Sequence, residues 1–349
     1  MDAASSLLSF LSSMDPLCSA DELEMVSGLA RGSRLVRVRN GPLAFDILPD
    51  RGMNLGNLDY RGLPLAWLSS VGYAAPAFYE AANMGWLRTF SGGALVTCGL
   101  LNAGDPCVDE GEELGLHGRA SSIPARDVSV QRGWEQSLYW IRVSGSLQET
   151  RVFGEYLELQ RTYSTSYGSS VIHVRDVIVN RGHISTPLMI LYHMNFGYPL
   201  ASPQARVLIP TQHVHPYDAH AASRLEHYMT PIEPTPAYAE QVYYHTLQAD
   251  AEGKGVAAIV NDSIGEGLGI VVEWKLATLP YFAQWNMFAS SQYTIGLEPG
   301  NCLPEGRRSA RERNALEYLE PGASKTIDLD ISIITGAEHL HDMYDRYRQ

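Results

Sequence analysis

The chain is poor in cysteine. It has four among 349 residues (Cys18, Cys98, Cys107 and Cys302), scattered and with no CxxC pair. That excludes a disulfide framework and a zinc ribbon, and the pattern reads as reduced thiols in a cytosolic protein. Basic residues are also scarce: Lys and Arg total 26 against 39 Asp and Glu, for a formal charge of −13. A nucleic-acid partner needs a basic face for its phosphates, so none is expected. No apolar run approaches the ~20 residues of a membrane-spanning helix, and no membrane partner is expected. The stretch Met1–Phe10 carries Asp2 and no basic start. No secretory signal is therefore expected, and the expected location is cytoplasmic. Missing too are a GxGxxG after a strand, a GxxxxGK(S/T) loop and a GxSxG elbow, so nucleotide-cofactor and serine-hydrolase chemistry lack their residues.

What the chain has in quantity is period-2 patterning. In Thr326–Ile334, Ile327, Leu329, Ile331 and Ile333 alternate with Asp328, Asp330 and Ser332, the signature of a half-buried strand. Leu138–Leu147, Thr150–Tyr163, Val171–Val179, Ser33–Arg39, Leu43–Leu48, Val256–Val260 and Leu268–Trp274 continue it, with a bulge expected at Gly154. Helical patterning is confined to Leu7–Leu17, Ala20–Leu29 and Glu338–Arg348. The 31 glycines and 19 prolines suit many short strands. The expected fold is all-β and mainly antiparallel: a helical extension over residues 1–32, then one large sandwich over residues 33–349.

Four segments break the strand pattern with polar residues in small or aromatic surroundings. Gly85-Trp-Leu-Arg88-Thr-Phe-Ser-Gly92-Gly93 sets an arginine between aromatics, suited to a ligand rim or to a plain exposed turn. Leu114-Gly-Leu116-His117-Gly118-Arg119 offers two donors, fit for sugar hydroxyls or for a satisfied core. Tyr192-His193-Met-Asn195 lies on an apolar strand, where alternation puts His193 and Asn195 on one face. Buried polar groups there need partners, and a ligand is one. In Tyr293-Thr-Ile-Gly296-Leu-Glu298-Pro-Gly300, Glu298 closes a strand before an expected Pro-Gly turn. Upstream, Gln284-Trp285-Asn286 supplies an aromatic platform of the kind sugars stack on.

A histidine cluster, His213, His215 and His220, raises metal ligation, since HxH puts both rings on one strand face. Pro210, Pro216 and the neighbouring alanines argue instead for a loop. No metal and no cofactor is expected.

Together and in this order these segments resemble the aldose 1-epimerase (galactose mutarotase-like) superfamily, and within it the bacterial DUF4432 branch. The carrying residues are Leu48-Pro-Asp-Arg51-Gly-Met53, Gly85–Gly93, Leu116-His117-Gly-Arg119, Tyr192-His193-Met-Asn195-Phe-Gly197, Glu240–His245 and Gly296-Leu-Glu298-Pro-Gly-Asn301. The resemblance implies a β-supersandwich and a cofactor-free interconversion of the α and β anomers of a free sugar. It implies Glu298 as base, His193 as acid and His117 as the histidine that binds hydroxyls and supports the transition state. Arg88 and Glu240 match its sugar-holding arginine and aspartate, with glutamate replacing aspartate. Asn195 and Trp285 are further candidate sugar contacts. Arg119, directly after His-Gly, departs from the family pattern; on an extended segment it would share a cleft with His117 and select an anionic sugar. It suits a pairing with Asp109 or Glu112 equally well.

The chemistry explains the residue types. Opening a pyranose removes the O1 proton while the ring oxygen gains one, which a carboxylate and an imidazolium can do from two sides. His193 is then expected to be cationic part of the time, favoured by neighbouring carboxylates. Two other readings stay open: a sugar-binding protein without chemistry, and a metal-dependent sugar isomerase or lyase using the histidines. The identity of the sugar and the oligomeric state carry no signal in the sequence.

Overall fold

The computed structural model describes residues 9–347. Alternation builds an eight-stranded antiparallel sheet running from Arg206–Leu208 at one edge to Arg126–Glu135 at the other. Its centre is Ser324–Thr335 between Leu268–Lys275 and Val171–Asn180, with Ile327, Leu329, Ile331 and Ile333 inward. A seven-stranded sheet packs against it through the main core and contains Gln241–Leu247, Tyr281–Ala289, Gln292–Gly300 and Thr186–Gly197, with Val96–Leu100 paired to the last. A five-stranded meander from Ser19–Glu24 to Leu63–Pro64 completes the core. The mainly antiparallel all-β sandwich expectation holds.

Three local expectations are corrected. Within the described part of residues 1–32 there is no α-helix: Ser19–Glu24 is a strand paired with Arg34–Arg39, followed by a single 3-10 turn at Gly28–Ala30. Ala20, Glu22, Leu23 and Glu24 suit a helix, but pairing along a sheet edge outweighs so weak a preference. Leu7 and Leu8 lie outside the described residues. Gly154 sits in the hairpin loop after Leu138–Thr150, which runs through Gln148 and Glu149 without a break. Glu298 does not precede a turn, because its strand continues through Pro299 to Gly300. The C-terminal helix forms as expected, over Ala337–Tyr347.

Two sheets are tied together below the site by a buried ion pair. Arg161 and Asp176 face each other across neighbouring strands, and the fork closes at 2.8 and 2.5 Å. Tyr192 of the opposite sheet donates its hydroxyl to Asp176 at 2.7 Å, and Arg161 reaches Thr97 Oγ1 at 2.6 Å. The strand Thr186–Gly197 is covered on both sides, which is why it reads as continuously apolar. Ile190, Tyr192, Met194 and Phe196 enter the main core, while Met189 and Leu191 enter a second cluster with Trp86, Phe90 and Trp285. His193 follows Met189 and Leu191 on that second side.

Candidate active site

Strand register brings the two ionisable groups together. Met194 pairs with Leu297, so His193 stands across from Glu298. Nε2 of His193 lies 3.3 Å from Oε1 of Glu298, with the side chains 7% and 4% exposed. Gly296 makes the room: a Cβ there would stand 3.0 Å from Glu298 Oε1 and 2.9 Å from Trp285 Cβ. That is the physical content of the Gly-x-Glu spacing.

Aromatic rings enclose the pair. Phe90 and Trp285 each lie 5.3 Å from the His193 ring and His117 lies 5.6 Å away, all three edge-on. Trp86 and Phe90 come from the 3-10 helix Gly85–Thr89 and its C-terminal neighbour, and both turn inward. Together these residues line a cleft with a free volume of about 180 Å³, which also takes in Asp105, Glu240, Tyr217 and Tyr244.

His117 arrives on a backbone that few side chains tolerate. His117 and Gly118 have φ of 55° and 69°, both left-handed. A Cβ at Gly118 would stand 2.4 Å from the Asn102 carbonyl oxygen and 2.6 Å from that of Gly99, so the loop can press onto the strand Val96–Leu100 only with glycine there. The Gly104 N–H donates to His117 Nδ1 at 3.2 Å. Burial, and then the neighbouring His193, hold His117 well below the usual histidine range. A neutral ring whose Nδ1 accepts carries its proton on Nε2, ready to donate to an oxygen.

Burial pushes Glu298 up to about 8, helped by Glu240. Burial drives His193 down to about 4, opposed by the Asn195 side chain. The expectation of a histidine made cationic by nearby carboxylates is thereby corrected. Desolvation dominates at both groups, disfavouring the imidazolium and the carboxylate alike, and at neutral pH the pair holds a single proton.

The other expected contacts divide. Trp285 and Glu240 both line the cleft, and Trp285 Nε1 donates to Glu240 Oε2 at 2.8 Å. Asn195 shares the face of His193 but is fully buried, donating to the carbonyls of Gly93 and His193. Arg88 is not among the cleft-lining residues and meets Glu80 at the surface, while its neighbours Trp86, Leu87 and Phe90 line the cleft. Arg119 does not share the cleft of His117, because the two left-handed residues break the alternation that an extended segment would have. It opens onto a separate cavity with Tyr79, Glu112 and Glu149. Asp109 is held instead by Arg307 and Arg311, and Glu112 by Arg307 and Arg151. His213 and His215 are exposed on the strand Thr211–Pro216, which replaces the expected loop, and His220 sits on the short helix Ala219–Ala222. Among the described residues no three His, Cys, Asp or Glu side chains are grouped to hold a metal ion. Asp105, Tyr217 and Tyr244 escaped the sequence reading; only Tyr244 fell inside a quoted motif.

The model of the DUF4432 family, a domain of unknown function, matches residues 30–333. The chain belongs to the DUF4432 family. Among solved structures, a Klebsiella pneumoniae protein provisionally named an aldose 1-epimerase is 26% identical with a TM-score of 0.89, covering 96% of this DUF4432 chain and 89% of its own. A galactose mutarotase-like protein of Clostridium acetobutylicum is 16% identical with a TM-score of 0.67, over 92% of this chain and 99% of its own. A galactose 1-epimerase of Lactobacillus acidophilus is 12% identical with a TM-score of 0.61, over 91% and 99%. At such identities the last two speak for the fold. No curated protein matches this DUF4432 chain. No helix among its described residues is long and apolar enough to cross a membrane.

Proposed function

We propose that this DUF4432 protein is a sugar mutarotase, an isomerase that interconverts the α and β anomers of a free aldose. The observation that carries the reading is the 3.3 Å contact between His193 Nε2 and Glu298 Oε1 inside an aromatic cleft. Binding alone has no need of a buried acid–base pair beside a sugar-sized space. A sugar ring stacks against Trp285 and Phe90, with its anomeric centre facing the two groups.

Glu298, as carboxylate, takes the O1 proton, and His193, as imidazolium, gives a proton to the ring oxygen. The bond from C1 to the ring oxygen breaks and leaves an open-chain aldehyde. Rotation about C1–C2 presents the other carbonyl face, the hydroxyl closes on it, and both protons return. The form that starts this sequence has the same proton count as the resting pair. His117 Nε2–H donates to a sugar oxygen and steadies the charge that develops there. The protein's own side chains supply every proton transfer. A cytoplasmic location belongs to the same reading and is supported by four cysteines that form no disulfide.

The test is saturation-transfer NMR of anomeric exchange across a panel of aldoses, with and without a chelator. Exchange above the buffer rate and unaffected by the chelator supports the reading. Sugar bound without faster exchange would assign the protein to carbohydrate binding alone. Activity lost to the chelator and restored by a divalent ion would assign it to metal chemistry.

A further inference from the structure

The cleft carries charge of one sign. Asp105 and Glu240 line it beside Glu298, and among the described residues no Lys or Arg does. Both carboxylates are held by neutral donors: Asp105 accepts from the Tyr217 hydroxyl at 2.9 Å, and Glu240 from Trp285 Nε1 at 2.8 Å. Neither forms an ion pair among the described residues. The candidate guanidiniums are elsewhere, Arg88 against Glu80 and Arg119 on the far cavity. Glu240 already makes itself felt at the reacting centre, where its charge raises Glu298 further.

We propose that Asp105 and Glu240 are specificity-determining residues, and that the substrate is an aldose without an anionic group, uncharged or bearing an ammonium. The proposal rests on the mutarotase reading and names its substrate class. A uronate, sulfosugar or sugar phosphate entering this cleft would meet carboxylates well inside one screening length and find no cation to pair with. Its anion would lose hydration without compensation. A hydroxyl or an ammonium meets acceptors. This reverses the sign of selection that Arg119 suggested in the sequence.

The experiment compares neutral hexoses of the glucose, galactose and mannose series with their uronates and their 6-amino-6-deoxy counterparts, which place opposite charges at one end of the ring. Anomeric exchange gives kcat/KM, and saturation-transfer difference NMR gives binding. The uronate should fall at least about tenfold below the neutral sugar in both readouts, a difference set by like-charge contact. The ammonium sugar should match or exceed the neutral one. In the double variant Asp105→Asn, Glu240→Gln the ratio of uronate to neutral sugar should rise at least about fivefold. A uronate handled as well as the neutral sugar overturns the proposal. So does loss of both charged sugars together, which would mean selection by bulk, and so does an unchanged ratio in the variant. If no sugar is exchanged faster than in buffer, the mutarotase reading falls, and the binding ratios still decide the charge preference.

Discussion

Nε2 of His193 and Oε1 of Glu298 are 3.3 Å apart in an aromatic-lined cleft, both side chains nearly buried, so the two groups titrate as one unit. Burial pushes Glu298 up to about 8 and His193 down to about 4. Between those values the pair holds one proton, and ring opening needs one protonated and one free partner. Whichever of the two carries the proton, this is the active state. Anomeric exchange, corrected for buffer catalysis, should be level across that interval. It should fall about tenfold per pH unit on either side. An acid limb near 6.5, the ordinary histidine value, would show that burial does not govern the pair.

Glu298→Gln should separate catalysis from stability. In the unfolded chain Glu298 ionises near 4.5, whereas in the native protein burial keeps its proton until about 8. Across that window the native state binds more protons than the unfolded one, so wild-type stability falls as pH rises. Glutamine removes this linkage. The variant should therefore gain on wild type progressively from about pH 4.5 to about pH 8, approaching about 5 kcal/mol if the whole shift is expressed at about 1.4 kcal/mol per unit. Anomerisation should drop at least ~10²-fold. Thermal unfolding by circular dichroism at several pH values checks the first claim; a stability difference independent of pH would remove Glu298 as its source.

Gly296→Ala should damage the site from beneath. The added Cβ meets Trp285 Cβ at 2.9 Å and the Glu298 carboxylate at 3.0 Å, so both must move. Overpacking of this kind costs about 1–3 kcal/mol. The larger effect should be on turnover, because a displacement of about 1 Å at the reacting groups costs about 10²-fold. Unfolding in urea and exchange kinetics report the two effects separately. Wild-type kinetics in the variant would show that Glu298 needs no such clearance.

The sandwich was legible because period-2 alternation survives wherever one face is buried, as in Ile327, Leu329, Ile331 and Ile333. The meeting of His193 and Glu298 was legible only through the motif resemblance, since register is a property of paired strands and not of either segment. The Arg119 expectation failed for a local reason. His117 and Gly118 are both left-handed, and a two-residue spacing then no longer means one face. The strand Ser19–Glu24 was missed because its edge pairing is tertiary and its alanine, leucine and glutamates are good helix formers. Asp105 and Tyr217 gave no local signal, being brought to the cleft by loops distant in sequence. One signal was present and unused: Arg161 falls in the inward phase of Leu157, Leu159 and Tyr163, and Asp176 in that of Ile172, Val174 and Ile178.

That inward pair supports the last prediction. Arg161 and Asp176 are both 0% exposed, and Asp176 also accepts from Tyr192, the residue next to His193. Asp176→Asn or Arg161→Met leaves a buried charge without its partner, which costs about 3–5 kcal/mol. Replacing both, as Arg161→Met with Asp176→Leu, removes the charges together and should recover a large part of that loss. Recovery should be incomplete, because the Tyr192 hydroxyl and Thr97 Oγ1 lose their partners. Urea unfolding of the two single variants and the double variant gives the coupling energy directly. Exchange kinetics of the double variant then report whether the network also positions His193: with the Tyr192 hydroxyl no longer anchored, kcat should fall while KM changes little. A double variant no more stable than either single one would mean that the four side chains act as one hydrogen-bonded unit and that charge pairing is not the dominant contribution.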